Sequence, residues 1–216
     1  MSIEGTIKFN LQFTPSPPLP AEELREINGW RHIFYLMQLI GQSPDRYWGF
    51  GYGNISQRLE PYDSPPHSRR FVISGTQTGS MAWLKPEHYS IVVECHPDQN
   101  LVVAEGPIPP SSESLTHGTL YALDESLRFV IHVHSPHIWH AAPALGIPVT
   151  RENVAYGTPE MAEEVCRLFR ETPVREQLIF SMGGHEDGVV SFGRTAEEAG
   201  TVMVRYLARA LANHPD

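Results

Sequence analysis

The sequence predicts a single α/β domain. Short strand-like segments alternate with segments of helical period, no internal repeat is present, and nothing suggests a second core. With 216 residues, 41% hydrophobic and 19% charged, the chain is globular in composition and long enough for one sizeable core.

The elements follow in order. Ile7, Phe9, Leu11 and Phe13 alternate with polar residues, which predicts an N-terminal strand. Thr14-Pro15-Ser16-Pro17-Pro18-Leu19-Pro20 is a stiff linker, because proline continues neither a helix nor a ladder. Residues 1–19 are therefore set apart as strand and linker, and 20–216 as the domain. A helix is expected from Pro20 or Ala21 to about Ile40, with Glu22 and Glu23 in its first turn and Gly41 as its stop.

Strands are expected around Asn54 to Leu59 and over Phe71 to Ser74, with a hairpin pairing Ile91–Glu94 and Leu101–Ala104. Ser111 or Ser112 can cap a helix to about Ser126. Phe129 to His134 reads as a strand, Ser135-Pro136 opens a helix to about Leu145, and Thr158-Pro159 opens another to Phe169. Strands at Gln177–Met182 and Gly188–Phe192 flank Gly183-Gly184-His185-Glu186-Asp187. The last helix begins at Thr195, with Glu198 completing a capping box, and ends near Asn213.

Composition narrows the function. A net charge of −9 argues against nucleic acid as a partner, although a small anionic substrate needs only local donors. No apolar run is long enough to span a membrane, and Met1 to Phe13 lacks the basic and apolar regions of a signal peptide, so the cytoplasm is the expected location. Cys95 and Cys166 lack C-x-x-C partners and are expected to be reduced core thiols.

The eleven histidines are the compositional oddity. In Ile131-His132-Val133-His134 the histidines are two apart, so on a strand they leave one face together with Val130, while Ile131 and Val133 face the other way. That spacing suits one metal ion, and equally a hydrogen-bonded strand face. Glu113, His117 and Tyr121, at i, i+4 and i+8, form a polar stripe that can bring a carboxylate near the pair. A third ligand is needed. His185, in its glycine-bracketed turn, is favoured over His137 and His140, which a helix from Pro136 would carry away. His32, His67, His88, His96 and His214 read as ordinary loop or surface histidines. Gly53-Asn54, Ser74-Gly75 and Ser111-Ser112 offer N–H groups and hydroxyls suited to an anion.

In this order, Gly53-Asn54-Ile55-Ser56, Ser74-Gly75, the Pro-Ser-Ser-Glu run ending at Glu113, His117, Tyr121, the His-x-His pair and His185 resemble the class II aldolase/adducin head family, from about Trp30 to Leu211. The resemblance implies a three-layer α/β/α domain around a central mixed, mostly antiparallel sheet. It also implies zinc on His132, His134 and His185, and Glu113 as the acid/base. The residues matching Gly53, Asn54, Ser74, Gly75, Ser111 and Ser112 hold a substrate phosphate in such aldolases. The implied activity is a lyase reaction on a small sugar or sugar phosphate, a retro-aldol cleavage through a metal-stabilised enediolate, in a homotetramer with sites at subunit boundaries. Dehydratase or epimerase chemistry and a non-catalytic adducin-like binding domain are the alternatives. Two departures stand out: Glu186-Asp187 separate His185 from Gly188 where the family has Asn-His-Gly, and the segment before Ala155-Tyr156-Gly157-Thr158 is short.

Overall fold

The computed structural model describes residues 5–213; residues 1–4 and 214–216, His214 among them, lie outside the description. The strands are β1 (Asn10–Pro15), β2 (Gly41–Gln42), β3 (Gly51–Tyr52), β4 (Asn54–Arg58), β5 (Phe71–Ser74), β6 (Tyr89–His96), β7 (Leu101–Gly106), β8 (Phe129–His134), β9 (Ile179–Ser181) and β10 (Gly188–Gly193). The helices are α1 (Arg25–Leu36), α2 (Ser114–Leu123), α3 (Pro136–Ala141), α4 (Pro159–Glu171), α5 (Val174–Gln177) and α6 (Ala196–Ala212). Eight strands form one sheet in the order β1-β7-β6-β5-β4-β8-β10-β9, and β2 and β3 pair separately. Among the described strands only β1 and β7 pair in parallel. All other neighbours in the large sheet are antiparallel, so the mixed, mostly antiparallel expectation holds.

The period-2 pleat divides the core between the two faces of this sheet. Ile55, Val72, Ile131, Val133 and Val189 pack with Ile27 and Phe34 of α1, Ile138 of α3 and Met203 of α6. Phe71, Ile73, Val92, Val130 and Val190 pack with Leu115 and Leu120 of α2 and Met161 and Val165 of α4. The two clusters are thus the two halves of a helix–sheet–helix sandwich. Burying one leucine-sized side chain in either stabilises the fold by about 1.5–3 kcal/mol.

Capping residues set most boundaries. Ser135, Thr158 and Thr195 accept the backbone N–H of Ile138, Met161 and Glu198, as expected. Glu198 reaches back to Arg194 N rather than to the N-cap residue itself.

Several boundaries differ from expectation. The first helix opens with a 3-10 turn over Ala21–Leu24 and ends at Leu36. Gln38, at φ 58°, reverses the chain while Gln38 N and Leu39 N donate to Tyr35 O and Phe34 O, a Schellman closure, so Gly41 starts a strand instead of stopping a helix. α2 starts two residues after Ser112 and ends at Leu123, where Asp124 Oδ1 accepts Ser126 N in a local turn. α3 is shorter than expected, and residues 174–177 turn as α5 before β9. Cys95 is buried, whereas Cys166 is only half-buried on α4 and is no core thiol.

No helix among the described residues is long and apolar enough to cross a membrane.

Candidate functional site

The polar groups gather on the face of the sheet that carries α2 and α4. Alternation along β8 places His132 and His134 on that face, both 1% exposed, with Ile131 and Val133 in the opposite core. His132 pairs in register with Asn54 of β4 and Val190 of β10, and His134 with Gly188.

His185 arrives from the turn between β9 and β10. Its N–H donates to Met182 O (3.2 Å) and its carbonyl accepts from Gly188 N (2.9 Å). The glycines around it are steric requirements. A Cβ at Gly184 would lie 2.1 Å from Val154 O, and one at Gly188 would lie 2.6 Å from His185 Cδ2. The turn therefore tucks under the Thr150–Val154 loop, and His185 is buried inside the fold rather than presented at an open edge.

The three imidazoles converge. His134 Nε2 and His185 Nε2 are 3.1 Å apart, and one ring nitrogen from each of the three lies within 4.8 Å of the others. Burial holds all three neutral: His132 is pushed down to about 4, and His134 and His185 well below the usual histidine range. Neither ring nitrogen of His132 has a hydrogen-bond partner among the described residues. Two bare buried nitrogens cost free energy unless something fills them, so this donor set fits a divalent cation. His137 and His140 are exposed on α3, in the layer packed on Ile131 and Val133, and do not join the cluster.

Glu113 occupies the N-cap position of α2 and is 1% exposed. Its Oε2 accepts from the Thr116 hydroxyl (2.9 Å), whereas Oε1 has no hydrogen bond among the described residues and lies 3.8 Å from His185 Nε2. Burial raises the carboxyl to about 7, with the Thr116 hydroxyl and the Lys8 charge opposing the rise. His117 and Tyr121 continue the stripe, but they face β4: Ser56 Oγ is 2.7 Å from His117 Nδ1 and 2.8 Å from Tyr121 OH. The stripe is a buried polar seam between α2 and the sheet.

Gly53, Asn54, Gly75, Ser111 and Ser112 line one small cavity, together with Gly5, Gly51 and the Thr76–Gly79 loop. Gly53 sits at φ 77°, and a Cβ there would lie 2.7 Å from Ile40 Cγ1. Asn54 Oδ1 has no partner among the described residues. Ser74 supports the cavity from the sheet, its hydroxyl accepting from Ile55 N (3.2 Å). Arg31, buried on α1, donates to Thr78 O (2.9 Å) and Ala82 O (3.0 Å) and so holds the loop in place.

Several neighbours carried little sequence signal. Tyr47 packs edge-on against His134, with ring centroids 4.5 Å apart, and donates to Asp187 Oδ2, which also faces Arg46 at 3.5 Å. Tyr156 lies 4.4 Å from the His185 ring. Lys8 Nζ donates to Tyr156 O (3.0 Å), and Tyr156 OH accepts from Thr6 N (3.2 Å). Thr116 was legible as the helical i+3 neighbour of Glu113, and Ser56 as the same-face i+2 neighbour of Asn54. Arg46, Tyr47 and Lys8 arrive from distant segments and had no such pattern.

The family described as Class II Aldolase and Adducin N-terminal domain matches residues 43–211. Among solved structures, the L-fuculose-1-phosphate aldolase of Thermus thermophilus is similar with a TM-score of 0.61 at 20% identity, over 91% of this chain and 100% of that one. A sugar-phosphate aldolase from Thermotoga maritima gives a TM-score of 0.61 at 16% identity, over 90% of this chain and 97% of its own. YgbL of Escherichia coli, a candidate aldolase/epimerase/decarboxylase, gives 0.65 at 17%, over 89% and 88%. Among curated proteins none matches the sequence. At these identities the structural likeness carries the fold alone, while the sequence match spans most of the chain. The protein belongs to the class II aldolase and adducin N-terminal domain family.

Proposed function

We propose that the protein is a metal-dependent lyase that cleaves a small sugar or sugar phosphate by a retro-aldol reaction through an enediolate. The observation that carries this reading is the meeting of three neutral, buried imidazoles with a carboxylate whose Oε1, without a hydrogen bond among the described residues, lies 3.8 Å from His185 Nε2. A purely structural zinc site would close its shell with four protein ligands, whereas three histidines leave a position for substrate.

His132, His134 and His185 would hold the ion, most plainly zinc, because imidazole suits that metal. When bound, the ion supplies Lewis-acid polarisation of a carbonyl oxygen. The chain's own residues do the rest. Thr116 fixes Oε2 of Glu113, so Oε1 is the atom that takes and returns the proton. A carboxyl raised to about 7 by burial is matched to proton transfer near neutral pH. Gly53, Asn54, Gly75, Ser111 and Ser112 would receive the anionic end of the substrate, with Ser74 bracing the loop. Asn54 shares a ladder rung with His132, and Ser112 adjoins Glu113 in the chain, so anion pocket and proton-transfer group are linked through the backbone.

The reading extends to a cytoplasmic homotetramer with residues 20–216 as its domain. Light scattering at dilute concentration tests the assembly: a stable monomer that keeps metal and activity would defeat it. The reaction is tested by incubating the zinc-loaded protein with ketose phosphates and free ketoses in deuterated solvent. Solvent deuterium should enter beside the carbonyl, with release of an aldehyde. Exchange without cleavage would replace the aldolase reading by an epimerase or dehydratase. Neither exchange nor cleavage across both substrate classes would leave the binding-domain alternative.

A further inference from the structure

A second group of metal-type side chains lies outside this site. His67 sits in the Pro66–Ser68 turn, His96 ends β6, and Asp98 follows in the Pro97–Gln99 turn. One ring nitrogen from each histidine and one Asp98 oxygen lie within 4.8 Å of one another, and the two rings stack with centroids 5.1 Å apart. His67 and His96 read as ordinary loop histidines in sequence, because His67 meets this strand through Cys95, 28 positions along the chain.

Each of the two rings is also held by a hydrogen bond through one of its nitrogens. His67 Nδ1 lies 3.1 Å from Cys95 O, and a carbonyl can only accept, so Nδ1 carries the proton and Nε2 keeps its lone pair. His96 Nε2 lies 2.9 Å from Glu94 Oε2, so that nitrogen is the donor, and in the neutral ring Nδ1 keeps the lone pair. A backbone carbonyl behind one imidazole and a carboxylate behind the other are the outer-shell partners that metal-binding histidines use to fix tautomer and orientation. Asp98 adds a charged oxygen.

We propose that His67, His96 and Asp98 form a second divalent-cation site, separate from the His132 cluster. Two imidazoles and one carboxylate select a borderline transition ion, zinc first, over magnesium or calcium, which prefer all-oxygen shells. With three protein ligands the site keeps a position for water or an incoming donor. His67 and Asp98 also line a cavity of about 620 Å³, whose wall includes Thr119, Cys166 and Arg170. An ion held there would lie beside a space large enough for a small ligand.

The test is zinc stoichiometry. Full-length protein is stripped with a chelator, dialysed against zinc at low micromolar concentration with excess magnesium, and its bound metal counted. Wild type should hold about two equivalents, and His67→Ala and His96→Ala should each lose about one while His132→Ala loses the other. Asp98→Asn should weaken the site roughly 10-fold or more. Because His67 and Asp98 are exposed, His67→Ala and Asp98→Asn should keep the wild-type thermal transition of the metal-free protein. Zinc content unchanged in both His67→Ala and His96→Ala would overturn the proposal, as would displacement of the second equivalent by magnesium. Loss of all zinc in His132→Ala would overturn it as well.

Discussion

Asn54 and His132 stand opposite each other on one rung of the β4–β8 ladder, and their side chains leave the same face of the sheet. A residue lining the small polar cavity is thereby set beside a member of the histidine cluster by backbone hydrogen bonding alone. Ser56, two residues along β4, uses the same face to anchor His117 and Tyr121 of α2. One strand thus registers the cavity, the imidazoles and the carboxylate-bearing helix against each other.

Glu113→Gln separates chemistry from architecture. The near-isosteric amide should leave fold and bound metal intact and slow solvent-proton exchange into substrate by at least ~10²-fold, the lower end of what a positioned acid/base supplies. Exchange kinetics beside metal analysis check this. An unchanged rate with metal bound would remove Glu113 from the reaction, and loss of metal would make it a ligand.

Asn54→Ala probes the cavity. It should raise KM for a phosphorylated substrate roughly 10-fold, the loss of about one good hydrogen bond to a charged group, with kcat and metal content nearly unchanged. A fall in kcat at constant KM would place Asn54 with the proton-transfer machinery instead.

Gly184→Ala tests the fit of the His185 turn. Its methyl group would meet Val154 O at 2.1 Å, so the turn or the Thr150–Val154 loop must shift. We expect a stability loss of about 1–3 kcal/mol, read from urea unfolding, together with weakened metal binding because His185 moves with the turn. Full stability with full metal content would show that the close approach is not required.

The metal-free protein should lose stability on acidification. Burial lowers folded His132 to about 4, while an unfolded histidine takes up its proton near 6.5, so between these values the unfolded state binds more protons and stability falls as the pH drops. The span corresponds to about 3 kcal/mol for His132. His134 and His185 act in the same direction. Glu113 opposes them: from its ordinary 4.5 up to about 7 the folded state holds the extra proton, and its contribution is lost as the pH rises. Urea midpoints with chelator at pH 7 and pH 5 should show a net acid loss, shallower in His132→Asn and steeper in Glu113→Gln. A flat profile would mean that the imidazoles are hydrated rather than buried.

Sequence by itself determined the pieces governed by local period and local chemistry. The alternation of β8, the Ser135, Thr158 and Thr195 caps and the same-face histidine pair were legible because a strand's pleat and an orphan helix N–H depend only on near neighbours. Three short small-residue loops were also recognisable singly, and the ordered combination pointed to the family. Tertiary structure alone decided which of these pieces meet. His185 reaches His134 across 51 residues because β10 pairs with β8 and Gly184 lets the turn sink beneath Val154 O. Asp187 finds Tyr47 across 140 residues, and Thr6 meets Tyr156 across 150, with no periodic signal to announce either. Burial was decided there too. Glu113 would keep an ordinary carboxylate value on an exposed helix end; at 1% exposure, desolvation lifts it to about 7. Strand pairing and enclosure arise from contacts far apart in the chain, and those contacts turn legible residue types into one site.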